Sequence, residues 1–133
     1  LKDSIDGLAV VGGKHLVGPF YSAVGRTWQQ TADEREHDLT VLVEILRDLA
    51  DYASKKGILL GLEPINRFET SFITTADQAI ELVDRVNHPA CKIMLDTFHM
   101  NRIEIFDDEC FGQAQCFSFL KCPFQDIIPA VGL

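Results

Sequence analysis

A chain of 133 residues with 47% hydrophobic and 24% charged side chains is one domain at most, with apolar material for a modest core. Its net charge of -8 argues against a nucleic-acid backbone or an anionic membrane as the main partner. No apolar run approaches the roughly 20 residues of a membrane span, and the start carries no basic and apolar secretory signal.

Most of the excess acid is expected on solvated helix faces. The first residue is Leu, so the chain is expected to be an internal piece or a processed product. Cys91, Cys110, Cys116 and Cys122 form no C-x-x-C pair and lack the histidine spacing of a zinc site. They read as free thiols of a cytoplasmic protein.

In chain order, residues 5–13 read as the end of a helix stopped by Gly12 and Gly13. Residues 15–21 form a short apolar strand closed at Gly18-Pro19, and a polar loop runs to Gln30. Thr31 and Glu34 make a capping box, in which each side chain satisfies the other residue's backbone N–H. Behind it Leu39, Leu42, Val43, Leu46, Leu49, Ala50 and Ala53 recur at helical spacing. Lys55 and Lys56 complement the helix dipole, and Gly57 ends the helix. Residues 58–62 are apolar without alternation, as in a parallel strand buried on both faces. Thr75 and Gln78 form a second capping box before the stripe Ala79, Ile80, Val83 and Val86. Pro89 closes that helix, and residues 91–95 are the next buried strand.

Strands alternating with helices through short loops define an α/β chain with parallel strands and right-handed crossovers. An open doubly wound sheet and a (β/α)8 barrel both satisfy this pattern. No Rossmann glycine fingerprint is present, because Gly12-Gly13 precedes a strand instead of following one. In a barrel, functional residues come from successive strand carboxyl ends. Glu63 and Asp96 lie at such ends, level with the run from Gly18 to Tyr21. A complete barrel needs about 250 residues. The chain is therefore read as a partial (β/α)8 TIM barrel of about three βα units.

Glu63 and Asp96 each finish an apolar run, where a buried strand has little other reason to carry an ionisable group. On adjacent strands the two carboxylates converge at one rim, able to hold a divalent cation and to move protons.

Three runs carry a more specific signal: Gly18-Pro19-Phe20-Tyr21-Ser22-Ala23-Val24-Gly25-Arg26, Glu63-Pro64-Ile65-Asn66-Arg67-Phe68-Glu69-Thr70, and Leu95-Asp96-Thr97-Phe98-His99-Met100-Asn101. Together they resemble the ketose 3-epimerases (D-tagatose and D-psicose 3-epimerases) of the xylose-isomerase-like sugar isomerase/epimerase TIM-barrel superfamily. The resemblance runs from near residue 1 to about residue 101. It implies metal-dependent epimerisation of a free ketose at C3 through an enediolate. The implied cofactor is a divalent metal, Mn2+ first and Mg2+ or Co2+ as alternatives, held by Glu, Asp, His and Glu from four strand ends. Glu63 matches the first ligand and also one of two glutamates that exchange the C3 proton. Asp96 matches the second ligand. Glu69 and His99 match residues that hydrogen-bond the sugar near O1 to O3.

Each residue also has a structural alternative. Glu63 or Glu69 could pair with Arg67, Asp96 could be an N-cap, and His99 could be a structural histidine. Asn66, Arg67 and Trp28 are read as structural. After Asn101 the chain departs from the family pattern: no histidine follows His99, and Glu104 and Glu109 lie too early to be the second catalytic glutamate. Residues 1–101 are thus expected to form the epimerase part and residues 102–133 a divergent tail. The functional alternatives are an inactive truncated barrel or another sugar isomerase, such as a hydroxypyruvate isomerase-like enzyme. The run from Asn66 to Glu69 favours the epimerases. A partial barrel exposes sheet edges, so a homo-oligomer is expected, and the isolated monomer should show little activity.

Overall fold

In a computed structural model, residues 1–96, 99 and 127–128 of the chain are described. The elements follow in the order α1 (Lys2–Val10), β1 (His15–Gly18), α2 (Ala32–Ser54), β2 (Leu59–Leu62), α3 (Ala76–Val86), β3 (Cys91–Met94) and β4 (Ile127–Ile128). Three of the anticipated strands are present, β1 and β2 each followed by a helix, and all strand pairs are parallel, in the order β1-β2-β3-β4. β4, a two-residue strand paired to β3, was not anticipated from sequence. The rest of the 102–133 tail lies outside the described residues, with Glu104, Glu109, Cys110, Cys116 and Cys122.

Both capping boxes form. Thr31 Oγ1 accepts from the Glu34 N–H and the Glu34 carboxylate accepts from the Thr31 N–H; Thr75 and Gln78 repeat the arrangement. α2 closes at Lys55, and Gly57 takes φ 68°, a left-handed turn that costs glycine nothing. α3 ends differently from expectation. Asn87, not Pro89, turns the chain out of the helix with φ 50° and ψ 50°. Asn tolerates this region because its short polar side chain makes local hydrogen bonds. The guanidinium of Arg47 on α2 donates to the final carbonyls of α3, at Arg85 (2.5 Å) and Val86 (2.9 Å).

The core joins Leu39, Leu42, Val43, Leu46, Leu49, Ala50 and Ala53 of α2 to Ala79, Leu82, Val83 and Val86 of α3. Ile80 packs at its margin, while Leu82 completes the stripe. Leu60, Leu62, Cys91 and Ile93 enter the same cluster. On the opposite face of the sheet, Leu59, Lys92 and Met94 are only partly buried, and His15 and Val17 are exposed. Residues 58–62 were expected to be buried on both faces: Ile58, Leu60, Gly61 and Leu62 are buried and Leu59 is half-buried. The α2 and α3 layer lies on the face that holds Leu60, Leu62, Cys91 and Ile93.

Surface charge is paired across the helices, as between Arg85 on α3 and Glu36 on α2 (2.6 Å). Cys91 is a buried free thiol, and burial pushes its pKa up to about 12. No helix among the described residues is long and apolar enough to cross a membrane.

Leu46 is 1% exposed, so Leu46→Ala should destabilise the fold by about 2–5 kcal/mol. Thr75→Ala removes one cap and should cost about 1 kcal/mol. Urea denaturation should reproduce that ranking; equal losses would contradict the placement of the core.

Candidate active site at the carboxyl rim of the sheet

The strand register sets the level of the site. Gly18 lies opposite Leu62, and Leu62 opposite Ile93, so the chain leaves all three strands on the same side. The next residues out are Phe20 and Tyr21 after β1, Glu63 after β2, and Leu95 and Asp96 after β3. The Glu63 N–H still donates to the Gly18 carbonyl at 3.2 Å, extending the β1–β2 pairing to the site itself.

Tyr21 secures the loop that follows Glu63. Its buried hydroxyl lies 2.8 Å from the Glu63 carbonyl and 2.9 Å from the Ile73 carbonyl, and it accepts the Ile65 N–H at 3.2 Å. The single phenolic proton serves one carbonyl at a time. Burial pushes the Tyr21 phenol well above the usual tyrosine range, so it stays protonated and able to donate. The loops after β1 and β2 are also tied together. Gly25 N–H donates to the Glu69 carbonyl (2.7 Å), Ser71 N–H to the Arg26 carbonyl (2.8 Å), and the Ser22 and Thr70 hydroxyls lie 3.0 Å apart.

Within this frame Glu63, Asp96 and His99 come together. Each offers an oxygen or nitrogen atom within 4.8 Å of the others. His99 Nε2 stands 3.8 Å from Glu63 Oε1, and both side chains are 13% exposed. Burial raises the Glu63 pKa first; His99 opposes that shift, and the charges of Asp96 and Glu69 add to it. Glu69 joins the group through Asn66, whose Nδ2 donates to Glu69 Oε1 at 2.5 Å and lies 3.0 Å from His99 Nδ1.

All four residues expected to carry chemistry thus lie in one connected group at the rim. Arg67 is exposed and stacks over Phe68, and no ion pair among the described residues joins it to Glu63 or Glu69. Trp28 is exposed beneath the Arg26 guanidinium. The N-cap alternative for Asp96 depends on Thr97 and Phe98, which lie outside the described residues. Sequence reasoning missed Asn66, only 2% exposed and in contact with both Glu69 and His99, and Tyr21. An asparagine beside an arginine carries no mark of burial. The Asn66–Glu69 spacing, which favours a local turn, is the one available hint.

Two carboxylates supply hard oxygen donors, and their span suits one cation with bonds of about 2.0–2.6 Å. The group of Glu63, Asp96 and His99 therefore fits a divalent metal.

Comparison with known proteins follows the same lines. The family described as xylose isomerase-like TIM barrel matches residues 1–118. An L-ribulose 3-epimerase of Methylomonas sp. (strain DH-1) is 37% identical over 101 residues, covering 76% of this chain and 34% of that protein. A D-psicose 3-epimerase of Ruminiclostridium cellulolyticum is 40% identical over 88 residues, covering 65% of this chain and 30% of that protein. The crystal structure of a D-allulose 3-epimerase from Methylomonas sp. in complex with D-allulose superposes with a TM-score of 0.71 at 36% identity. That match covers 78% of this chain and 35% of the other. The chain spans about a third of the length of these relatives. On this match, and on its parallel βα units, the chain belongs to the xylose isomerase-like TIM barrel family.

Proposed function

We propose that this chain carries the cation-holding and proton-moving part of a ketose 3-epimerase site, within residues 1–101. The observation that carries the reading is the convergence of Glu63, Asp96 and His99 at the carboxyl rim. The 3-epimerase relatives support the choice of substrate class. A divalent cation, Mn2+ first and Mg2+ or Co2+ as alternatives, supplies Lewis-acid polarisation of the substrate ketone when bound between Glu63 and Asp96.

The Glu63 carboxylate removes the proton from C3, and the C–H electron pair moves into the C2 carbonyl to leave an enediolate. Return of a proton to the opposite face of C3 inverts the centre. That acid is the second glutamate implied by the family resemblance, and the match to this chain does not include it. His99 and Glu69 hydrogen-bond the sugar oxygens near the reacting carbons. The reading places the protein in the cytoplasm, with self-association through its sheet edges.

In D2O with Mn2+, D-fructose and D-tagatose should take up deuterium at C3, with little net epimerisation by the isolated monomer. Glu63→Gln should abolish uptake. Asp96→Asn should weaken Mn2+ binding by at least about tenfold, since even the outer partners of metal ligands are worth that much. Uptake that persists in Glu63→Gln would contradict the assignment.

The raised Glu63 pKa also has a stability consequence. In metal-free protein the folded state holds the Glu63 proton more tightly than the unfolded chain does. Stability is therefore lost as pH rises from the unfolded value through the folded pKa. In EDTA at neutral pH, Glu63→Gln should melt above the parent, and the advantage should shrink below the carboxylate range. A pH-independent difference between the two melting temperatures would contradict this origin.

A further inference from the structure

Asn66 is 2% exposed, and its contacts leave its side-chain amide a single orientation. Oδ1 accepts the Phe68 backbone N–H at 3.0 Å, which identifies the oxygen end. The opposite end meets Glu69 Oε1 at 2.5 Å, and an ionised carboxylate only accepts, so that end must be the NH2 group. Two independent partners thus agree. The same NH2 group lies 3.0 Å from His99 Nδ1, and the Asn66 backbone N–H donates to that ring nitrogen at 3.3 Å. A ring nitrogen that accepts hydrogen bonds carries no proton. In the neutral imidazole the proton is therefore on Nε2, on the side of Glu63 Oε1.

We propose that Asn66 is a positioning residue that fixes His99 as the Nε2–H tautomer, making it a hydrogen-bond donor to an anionic oxygen instead of a cation ligand. A protonated Nε2 has no in-plane lone pair to offer a metal, and Nδ1 is held by Asn66. The cluster is thereby divided: Glu63 and Asp96 hold the cation, and His99 faces the oxygen on which negative charge develops. One amide also orients both His99 and Glu69, since the two protons of Nδ2 are shared between them. The identity of the anionic oxygen as that of a ketose rests on the epimerase reading; the tautomer does not.

Long-range 1H–15N correlation spectra of the 15N-labelled chain, above the imidazole titration range, read this directly. His99→Gln assigns the His99 signals among those of His15, His37 and His88. The expected spectrum shows His99 with bare Nδ1 and protonated Nε2. Asn66→Asp replaces the side-chain donor by an acceptor and leaves the backbone N–H, so it should raise the share of the Nδ1–H tautomer. A parent spectrum with Nδ1 protonated overturns the proposal without any variant having to fold, and so does an unchanged tautomer ratio in folded Asn66→Asp. In a parallel Mn2+ titration, His99→Gln should weaken binding less than Asp96→Asn does, whereas an equal or greater loss would make His99 a ligand and overturn the division of roles. Failure of the parent to bind Mn2+ at all would remove the epimerase reading and the division of roles while leaving the tautomer spectrum as a separate result.

Discussion

Parallel pairing of β1, β2 and β3 in one register is the constraint on which the site depends. Parallel strands all leave the sheet on the same side, and the pairings Gly18–Leu62 and Leu62–Ile93 bring the three exits to one level. A one-residue slip of β3 against β2 would exchange its covered and open faces and carry Cys91 and Ile93 out of the core. The helices enforce the register because the apolar stripes of α2 and α3 pack on the face that holds Leu60, Leu62, Cys91 and Ile93. Formation of the core and alignment of the rim are therefore one event.

Loops usually loosen a site, yet here they are held by buried polar groups. The Tyr21 hydroxyl reaches three backbone groups across the loop between β2 and α3, and Asn66 is bonded on every side. Such groups are costly when unsatisfied and rigidifying when satisfied. Glu63 is the counterexample, a carboxylate whose burial and acidic neighbours disfavour its charge. That local destabilisation fits a residue retained for chemistry, which a bound cation would relieve.

Much of this was readable in the sequence because the signals are local. Thr31 with Glu34, and Thr75 with Gln78, mark helix starts through interactions spanning three residues. The α2 stripe shows its period over 23 residues. Glu63 and Asp96 stood out as charges terminating apolar runs. What was not legible depends on distant contacts. Asn87 ends α3 by taking a conformation that Pro89 only foreshadows. Asn66 became interpretable only once Glu69, Phe68 and His99 were in place around it.

The central claim is that two strand-end carboxylates form a cation site. Crystals of the chain soaked in Mn2+ and measured at the manganese absorption edge test it most directly. The account predicts an anomalous peak bonded to carboxylate oxygens of Glu63 and Asp96 and not to His99. A manganese peak confined to other positions, with none between these two carboxylates, would contradict it.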